Sequence, residues 1–323
     1  MRAPAFWYTE RPGLRAALLW PLALLWRMAA RRRQARGLPQ SVRVPVICVG
    51  NLTVGGTGKS PTVMALVAEL QARGYAPHVL SRGYGGRLDG PVRVAPSHGA
   101  ADVGDEPVML SAFAPVWVAR DRVAGARAAV AEGAGALILD DGFQDPALAK
   151  DLSILVVDAA TGFGNGCLLP AGPLREPVAD GLARADLVLR LGEGEGPDTG
   201  ELPVAEAEIA PLETGMPWRG LRVVAFAGIG RPQKVFDTLR DLGADLVATH
   251  AFGDHEPYPD AVLHRLLREA QAANARLVTT EKDAARLPAW FRPHVLPLPV
   301  RLRFTQRAAL DAALDRVVPA LSS

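Results

Sequence analysis

One stretch limits the choice of fold more than any other: Val46-Ile47-Cys48-Val49-Gly50-Asn51-Leu52-Thr53-Val54-Gly55-Gly56-Thr57-Gly58-Lys59-Ser60-Pro61. An apolar run that reads as a buried strand leads into a glycine-rich turn, and Lys-Ser opens a helical pattern (Val63, Leu66, Val67, Leu70). Small residues in such a turn let backbone N–H groups approach phosphate oxygens at a helix N-terminus. Thr53, Gly55, Gly56, Thr57 and Gly58 are the candidate cradle. Lys59 is placed to reach β- and γ-phosphates, and the Ser60 hydroxyl to ligate Mg²⁺. Pro61 suits a first helical turn, where its missing N–H costs nothing. The strict pattern G-x-x-x-x-G-K-[ST] asks for glycine at position 53, and this chain has threonine. Glycine-rich turns before Lys-Ser also arise by chance, but here the strand and the helix stand where the mechanism requires them.

With 323 residues, 49% hydrophobic and 22% charged, the chain is long enough for two domains and a sizeable core. A net charge of +2 gives no reason to expect a nucleic-acid partner. Two cysteines, Cys48 and Cys167, provide neither a disulfide framework nor zinc spacing. Ala16 to Trp26 is wholly apolar, with Arg11 and Arg15 before it and Arg27, Arg31, Arg32, Arg33 and Arg36 after it. These eleven residues are too few to cross a bilayer, which takes about 20 in a helix. A signal peptide has a similar apolar length, but dense arginine after the run favours retention in the cytoplasm. Apolar residues with tryptophans and a basic flank suit a membrane interface with anionic headgroups. The plainer reading is a helix docked on the protein's own core.

Apolar runs alternate with helical patterns along the chain, so the class is α/β with a largely parallel sheet. Strands are expected at 77–80, 116–119, 136–139, 154–157 and 187–189, with a helix near 122–132. Residues 192–203 are rich in glycine, proline and acids and read as an exposed connection near a domain boundary. A second α/β unit follows, with strands at 223–227, 246–249 and 277–280. Its helices are expected near 233–242 and 260–273, and 307–317 reads as a closing helix. The division expected is a 1–36 apolar and basic membrane-contact segment, a 37–210 P-loop nucleotide-binding domain and a smaller α/β domain over 211–323.

The strand ending in Asp140-Asp141-Gly142-Phe143-Gln144 suits a magnesium-holding element, because the carboxyl ends of parallel strands face the ligand crevice. Alone, it is equally an Asp-Gly turn. Asp105 and Glu106, in Gly104-Asp105-Glu106-Pro107, are either of them able to accept a proton from a substrate hydroxyl, or form a helix cap with a first-turn acid. His255, between Asp254 and Glu256, could be held in one tautomer or kept protonated, or be an ordinary loop histidine. Arg175 could meet phosphate and Glu176 a metal or hydroxyl, or the two could form a solvated ion pair. Ser81-Arg82-Gly83-Tyr84 is an anion-binding turn or a plain strand exit.

Taken in order, Thr53 to Pro61, Ser81-Arg82-Gly83-Tyr84-Gly85, Gly104-Asp105-Glu106-Pro107, Asp140-Asp141-Gly142-Phe143-Gln144, Leu169-Pro170-Ala171-Gly172-Pro173-Leu174-Arg175-Glu176, Asp254-His255 and Thr279-Thr280-Glu281-Lys282-Asp283 form a specific set. The set resembles the tetraacyldisaccharide 4′-kinases, the lipid A kinases of Gram-negative bacteria, over nearly the whole chain. That family also carries threonine at the position of Thr53. The resemblance implies that ATP gives its γ-phosphate to the 4′-hydroxyl of a tetraacylated glucosamine disaccharide 1-phosphate. This lipid A precursor would be met at the cytoplasmic face of the inner membrane, by a peripheral or monotopic enzyme with no protein partner. A P-loop NTPase-like domain joined to a smaller one, with substrate in the cleft between them, is the fold implied.

By the same resemblance, Lys59 holds the β- and γ-phosphates and Ser60 the Mg²⁺. Asp140 and Asp141 match the acidic pair near the metal, Asp105 the proposed base and His255 the partner that tunes it. Arg175 and Glu176 match the phosphate- and metal-side loop. Arg120 and Arg122 are further candidates for phosphate, and Glu256 stands where some relatives carry a second histidine. The rival reading is a P-loop GTPase-type switch or maturation factor. Such proteins usually carry [NT]-K-x-D to read guanine, whereas Lys282 is followed at once by Asp283 and then Ala284. A soluble small-molecule kinase is a second rival, against which the N-terminal segment argues.

Overall fold

The computed structural model describes residues 4–9, 11–254 and 256–321. Of these, 4–209 and 302–321 form one compact unit, and 210–301 a smaller one. The larger unit opens with helix α1 (Leu14–Arg36). Strand β1 (Val46–Gly50), helix α2 (Lys59–Ala72), and strands β2 (Pro77–Ser81) and β3 (Val92–Arg93) follow. Next come two short helices, α3 (Ala100–Val103) and α4 (Asp105–Leu110), then β4 (Val116–Val118), α5 (Arg122–Ala131) and β5 (Ala136–Asp140). Strand β6 (Leu152–Asp158), helix α6 (Val178–Leu182), β7 (Leu187–Leu191) and β8 (Val204–Pro211) carry the chain toward the smaller unit.

The smaller unit holds β9 (Arg222–Ala227), α7 (Pro232–Asp241), β10 (Asp245–Ala251), α8 (Asp260–Ala272), β11 (Arg276–Thr280), α9 (Glu281–Arg286) and β12 (Val295–Leu298). Strand β13 (Val300–Gln306) then returns the chain to the larger unit, which ends with α10 (Ala308–Val317). Sequence alone runs the smaller domain on to 323. Instead α10 belongs with the larger unit, where Arg73 meets Asp315 at 2.6 Å and Arg307 meets Glu69 at 3.1 Å.

Among the described residues the larger unit is built on a nine-stranded sheet in the order β13-β8-β7-β6-β1-β5-β2-β4-β3. From β7 through β4 the neighbours run parallel, and β3 joins antiparallel at the edge. Among the described residues the smaller unit has four parallel strands in the order β10-β9-β11-β12. The expected mixed α/β class with mostly parallel sheets is therefore what the chain forms. Every residue of β1, β5 and β6 is buried, as continuous apolar runs require when helices cover both faces of a parallel sheet. Helix α2 buries Val63, Leu66, Val67 and Leu70, the positions its spacing marks.

Register places the site. Val49 of β1 lies opposite Asp140 of β5, and Leu139 of β5 opposite Leu80 of β2. The turns leaving β1, β5 and β2 therefore emerge side by side at the carboxyl edge. Gly58 sits at φ 90° just before α2, and a Cβ there would lie 2.4 Å from Leu191 Cδ1. Both the left-handed backbone and the close approach require glycine.

Candidate active site

The phosphate-cradle loop is stitched to the loop that carries Arg175. Val54 N–H donates to the Pro173 carbonyl at 2.8 Å, and Arg175 N–H to the Leu52 carbonyl at 2.7 Å. Thr53 and Leu174 form an antiparallel bridge between these bonds. Position 53 is thus a buried ladder residue rather than part of the turn, which is why threonine serves where glycine is commonly found. The turn itself falls at Gly55 (φ 125°) and Gly58.

Lys59 is the first residue of α2, with Ser60 directly behind it. Its ammonium lies 3.3 Å from Asn51 Oδ1 and 3.7 Å from Asp141 Oδ1. Asp141 takes a left-handed backbone, φ 51°, just past β5. Arg175 donates to both its carboxylate oxygens, at 3.0 and 2.9 Å. Burial alone would raise the pKa of Asp141, but Lys59 and Arg175 outweigh it and hold the carboxyl below its ordinary range.

Asp140 meets the opposite surroundings. Its side chain is 2% exposed, and Ser81 Oγ donates to it at 3.2 Å. Burial pushes it up to about 7, helped by the charges of Glu106 and Asp141 and opposed by Lys59 and Arg122. Glu106 is the second residue of α4 and Asp105 the first. Asp105 is buried, with Oδ1 accepting the Glu106 N–H at 3.0 Å. The sharp entry to α4 comes from Gly104 (φ 93°), where a Cβ would lie 2.7 Å from the Tyr84 carbonyl.

Lys59, Asp140, Asp141, Arg175 and, through its charge, Glu106 are therefore gathered at one strand edge. Glu176 is turned to a different task. It accepts Arg184 at 2.6 Å and Gln144 Nε2 at 3.0 Å, and Gln144 in turn donates to the Asn51 carbonyl at 2.8 Å. The two arginines left open by the sequence also separate. Arg122 is buried and donates to the carbonyls of Leu80, Asp140 and Asp141, clamping the ends of β2 and β5. Arg120 forms an exposed pair with Asp89 at 2.9 Å. His255 lies outside the described residues.

Sequence reasoning gave no role to Asn51 or Gln144. Asn51 is fully buried, with Nδ2 donating to Thr57 Oγ1 at 2.8 Å while Oδ1 holds Lys59. A polar side chain directly after five apolar strand residues was the available signal. The guanine-reader alternative loses its residue pair here. Asp283 is wholly buried and engaged within the smaller unit, so Lys282-Asp283 does not present a base-reading carboxylate.

No group of three or more His, Cys, Asp or Glu poised to hold a metal occurs among the described residues. Magnesium does not need one. It is commonly held by one or two carboxylates together with phosphate oxygens and water. Ser60 and Asp140 are hard oxygen donors of that kind, and the crowding of acids around Asp140 favours a cation beside it.

Residues 15–319 match the family model described as Tetraacyldisaccharide-1-P 4′-kinase. The chain is 58% identical to the tetraacyldisaccharide 4′-kinase of Dinoroseobacter shibae, covering 99% of this chain and 98% of that one. It is 55% identical to the enzyme of the same name from Rhodospirillum centenum, covering 97% and 96%. A crystal structure of LpxK from Aquifex aeolicus, an "apo" form in complex with ATP, superposes with a TM-score of 0.76 at 25% identity. That match covers 94% of this chain and 99% of the other.

Proposed function

Since the chain belongs to the tetraacyldisaccharide-1-P 4′-kinase family, we propose a division of labour among its residues for that family's reaction. The protein is an ATP-dependent kinase of lipid A biosynthesis. It moves the γ-phosphate of ATP to the 4′-hydroxyl of a tetraacylated glucosamine disaccharide 1-phosphate. The observation that carries the residue assignment is the joining of two loops, 52–54 to 173–175, which brings Lys59, Asp141 and Arg175 into one charged cluster.

Phosphoryl transfer depends on positioning and on neutralising charge. The turn from Gly55 to Gly58 offers backbone N–H groups to the phosphates. Lys59 neutralises the β- and γ-oxygens, and Arg175 adds a second cation beside them. Asp141 holds both cations in place until the nucleotide arrives. Ser60 and Asp140 would hold a magnesium ion, which would supply charge neutralisation to the phosphates. Asp105 takes the proton of the attacking hydroxyl as its bond to phosphorus forms. His255 tunes that base, and Glu176 orders the Arg175 loop through Arg184 and Gln144.

The substrate's acyl chains belong to a bilayer, and the surface of α1 supports docking there at the inner leaflet. Ala16 and Ala23 are buried against the 167–171 loop. Leu18, Trp20, Leu22 and Leu25 on the same helix are each more than half exposed. Pro21 lies inside the helix, and Trp26 Nε1 donates to the Arg175 carbonyl at 2.8 Å, tying the helix to the phosphate-side loop. No helix of the described residues is long and apolar enough to cross a membrane. Outward leucines with Arg31, Arg32 and Arg33 suit a helix lying in the interface. Replacing Leu18, Leu22 and Leu25 together by Asn should weaken binding to anionic liposomes at least ten-fold, about 1.4 kcal/mol. Unchanged flotation would contradict this docking.

The test of the reaction is incubation with γ-labelled ATP and the disaccharide precursor, followed by mapping of the label. Label on the 4′-oxygen is expected. Asp105→Ala should lower kcat by roughly 10²–10⁴ while ATP binding survives. Normal turnover in that variant would remove Asp105 as the base.

A further inference from the structure

The loop that carries Arg175 draws its shape from outside itself. Residues 170–173 read Pro-Ala-Gly-Pro, and proline offers no backbone N–H to a turn of its own. The carbonyls of such a loop need donors from elsewhere, because backbone oxygens shielded from water are rarely left without one. The Pro173 carbonyl accepts the Val54 N–H at 2.8 Å and the Leu174 carbonyl the Leu169 N–H at 2.9 Å. Three more carbonyls are met by side chains. Trp7 Nε1 donates to Pro170 at 3.1 Å, Asn165 Nδ2 to Ala171 at 3.1 Å and Trp26 Nε1 to Arg175 at 2.8 Å.

Two of these three donors belong to the N-terminal segment. An indole N–H is a donor only, and a tryptophan at a bilayer surface usually turns it toward the headgroups. Trp7 and Trp26 turn theirs onto the protein, one at each end of the 170–175 stretch. Asn165, itself almost fully buried, secures the first of them. Its N–H donates to the Trp7 carbonyl at 2.7 Å, and its Nδ2 also to the Phe6 carbonyl at 3.1 Å. Arg175 is consequently fixed on three sides. Its N–H donates to the Leu52 carbonyl, its carbonyl accepts the Trp26 indole, and its guanidinium grips Asp141. A guanidinium held in advance loses less freedom when a phosphate arrives, which strengthens binding.

We propose that Trp7 and Trp26 are positioning residues for the nucleotide, holding the 170–175 loop so that Arg175 stands where it meets phosphate. The N-terminal segment then helps to build the ATP site, besides presenting an apolar surface. The proposal rests on the kinase reading above and on the phosphate-side role given there to Arg175.

A double-mutant cycle on the full-length enzyme in detergent tests it, with the Kd for magnesium-ATP as the readout, taken well below each variant's melting temperature. Trp26→Phe and Trp7→Phe remove the N–H and keep an aromatic ring. Each is made alone and in an Arg175→Ala background. Alone, Trp26→Phe should raise the Kd roughly three- to ten-fold and Trp7→Phe about two- to five-fold, the range of one lost hydrogen bond. In the Arg175→Ala background the further rise should be under about two-fold, because a bond that only props up the fold would act alike in both. Equal rises on both backgrounds, an unchanged Kd in the two single tryptophan variants, or an unchanged Kd in Arg175→Ala would overturn the proposal. Magnesium-ATP binding by the unmodified enzyme without transfer to the sugar would instead sink the kinase reading, so the two failures are told apart.

Discussion

Asp140 ends strand β5 and Asp283 lies in α9, three residues past the end of β11, each on the carboxyl side of a parallel sheet, and their surroundings differ in kind. Asp283 is met by the Gly228 N–H, two hydroxyls and a guanidinium. Asp140 is met by one serine hydroxyl, and burial, helped by the charges of Glu106 and Asp141 against those of Lys59 and Arg122, pushes its carboxyl up to about 7. One edge has satisfied its own electrostatics and is finished. The other is left wanting a cation, and it lies beside the loop that cradles phosphate. The difference teaches that a binding edge is recognised by what folding leaves uncompensated, since natural chains break local consistency mainly where function requires it.

The comparison is broken or sharpened by substitutions on either side. Lys59→Ala should have the largest effect, at least a thousand-fold in kcat/KM, about 4 kcal/mol of transition-state stabilisation. Initial rates with labelled ATP check it, and a loss under ten-fold would remove Lys59 from the phosphate site. Asp283→Ala leaves Arg286 buried without its main carboxylate and should cost roughly 3–5 kcal/mol of stability, read by urea unfolding. A neutral result would mean that this edge of the smaller unit is not held by charge.

A smaller effect is expected from pH. A carboxyl whose folded pKa lies above its unfolded value stabilises the fold below the unfolded value and loses that contribution as pH rises through the folded one. For Asp140 the window runs from about 4 to about 7. Without nucleotide, stability should therefore decline across that window by an amount that Asp140→Asn abolishes, of the order of 1–3 kcal/mol. A profile identical in the two proteins would place the strain elsewhere.

Much of this arrangement is legible in the sequence. The β1–turn–α2 unit is marked by an apolar run, glycines and a helical period, and Asp140 by its place after the four apolar residues Ala136 to Leu139. Strands β8, β12 and β13 are not. Val204 to Pro211 is rich in Ala and Glu, which favour helix, and Pro297 and Pro299 punctuate the last pair. The return of 302–321 to the larger unit rests on β13 pairing beside β8 and on Leu310, Ala313 and Leu314 buried along α10, contacts with partners distant in the chain that leave no local pattern. Within the candidate site, Lys59 and Arg175 are singled out by their motifs, and the fold brings both beside Asp141. Gln144 is missed as a tie because its partner, the Asn51 carbonyl, lies 93 residues away. Glu176 shows the converse: an acid beside a phosphate-site arginine invites a metal reading, while its contacts are to Arg184 and Gln144.

The most direct measurement compares melting temperatures of the unmodified protein and Asp140→Asn at pH 8, with and without magnesium and ATP. The uncompensated-edge account predicts that the variant starts higher without ligand and gains much less from magnesium-ATP than the unmodified protein does. A variant that starts lower, or that gains as much on adding magnesium-ATP, would contradict it.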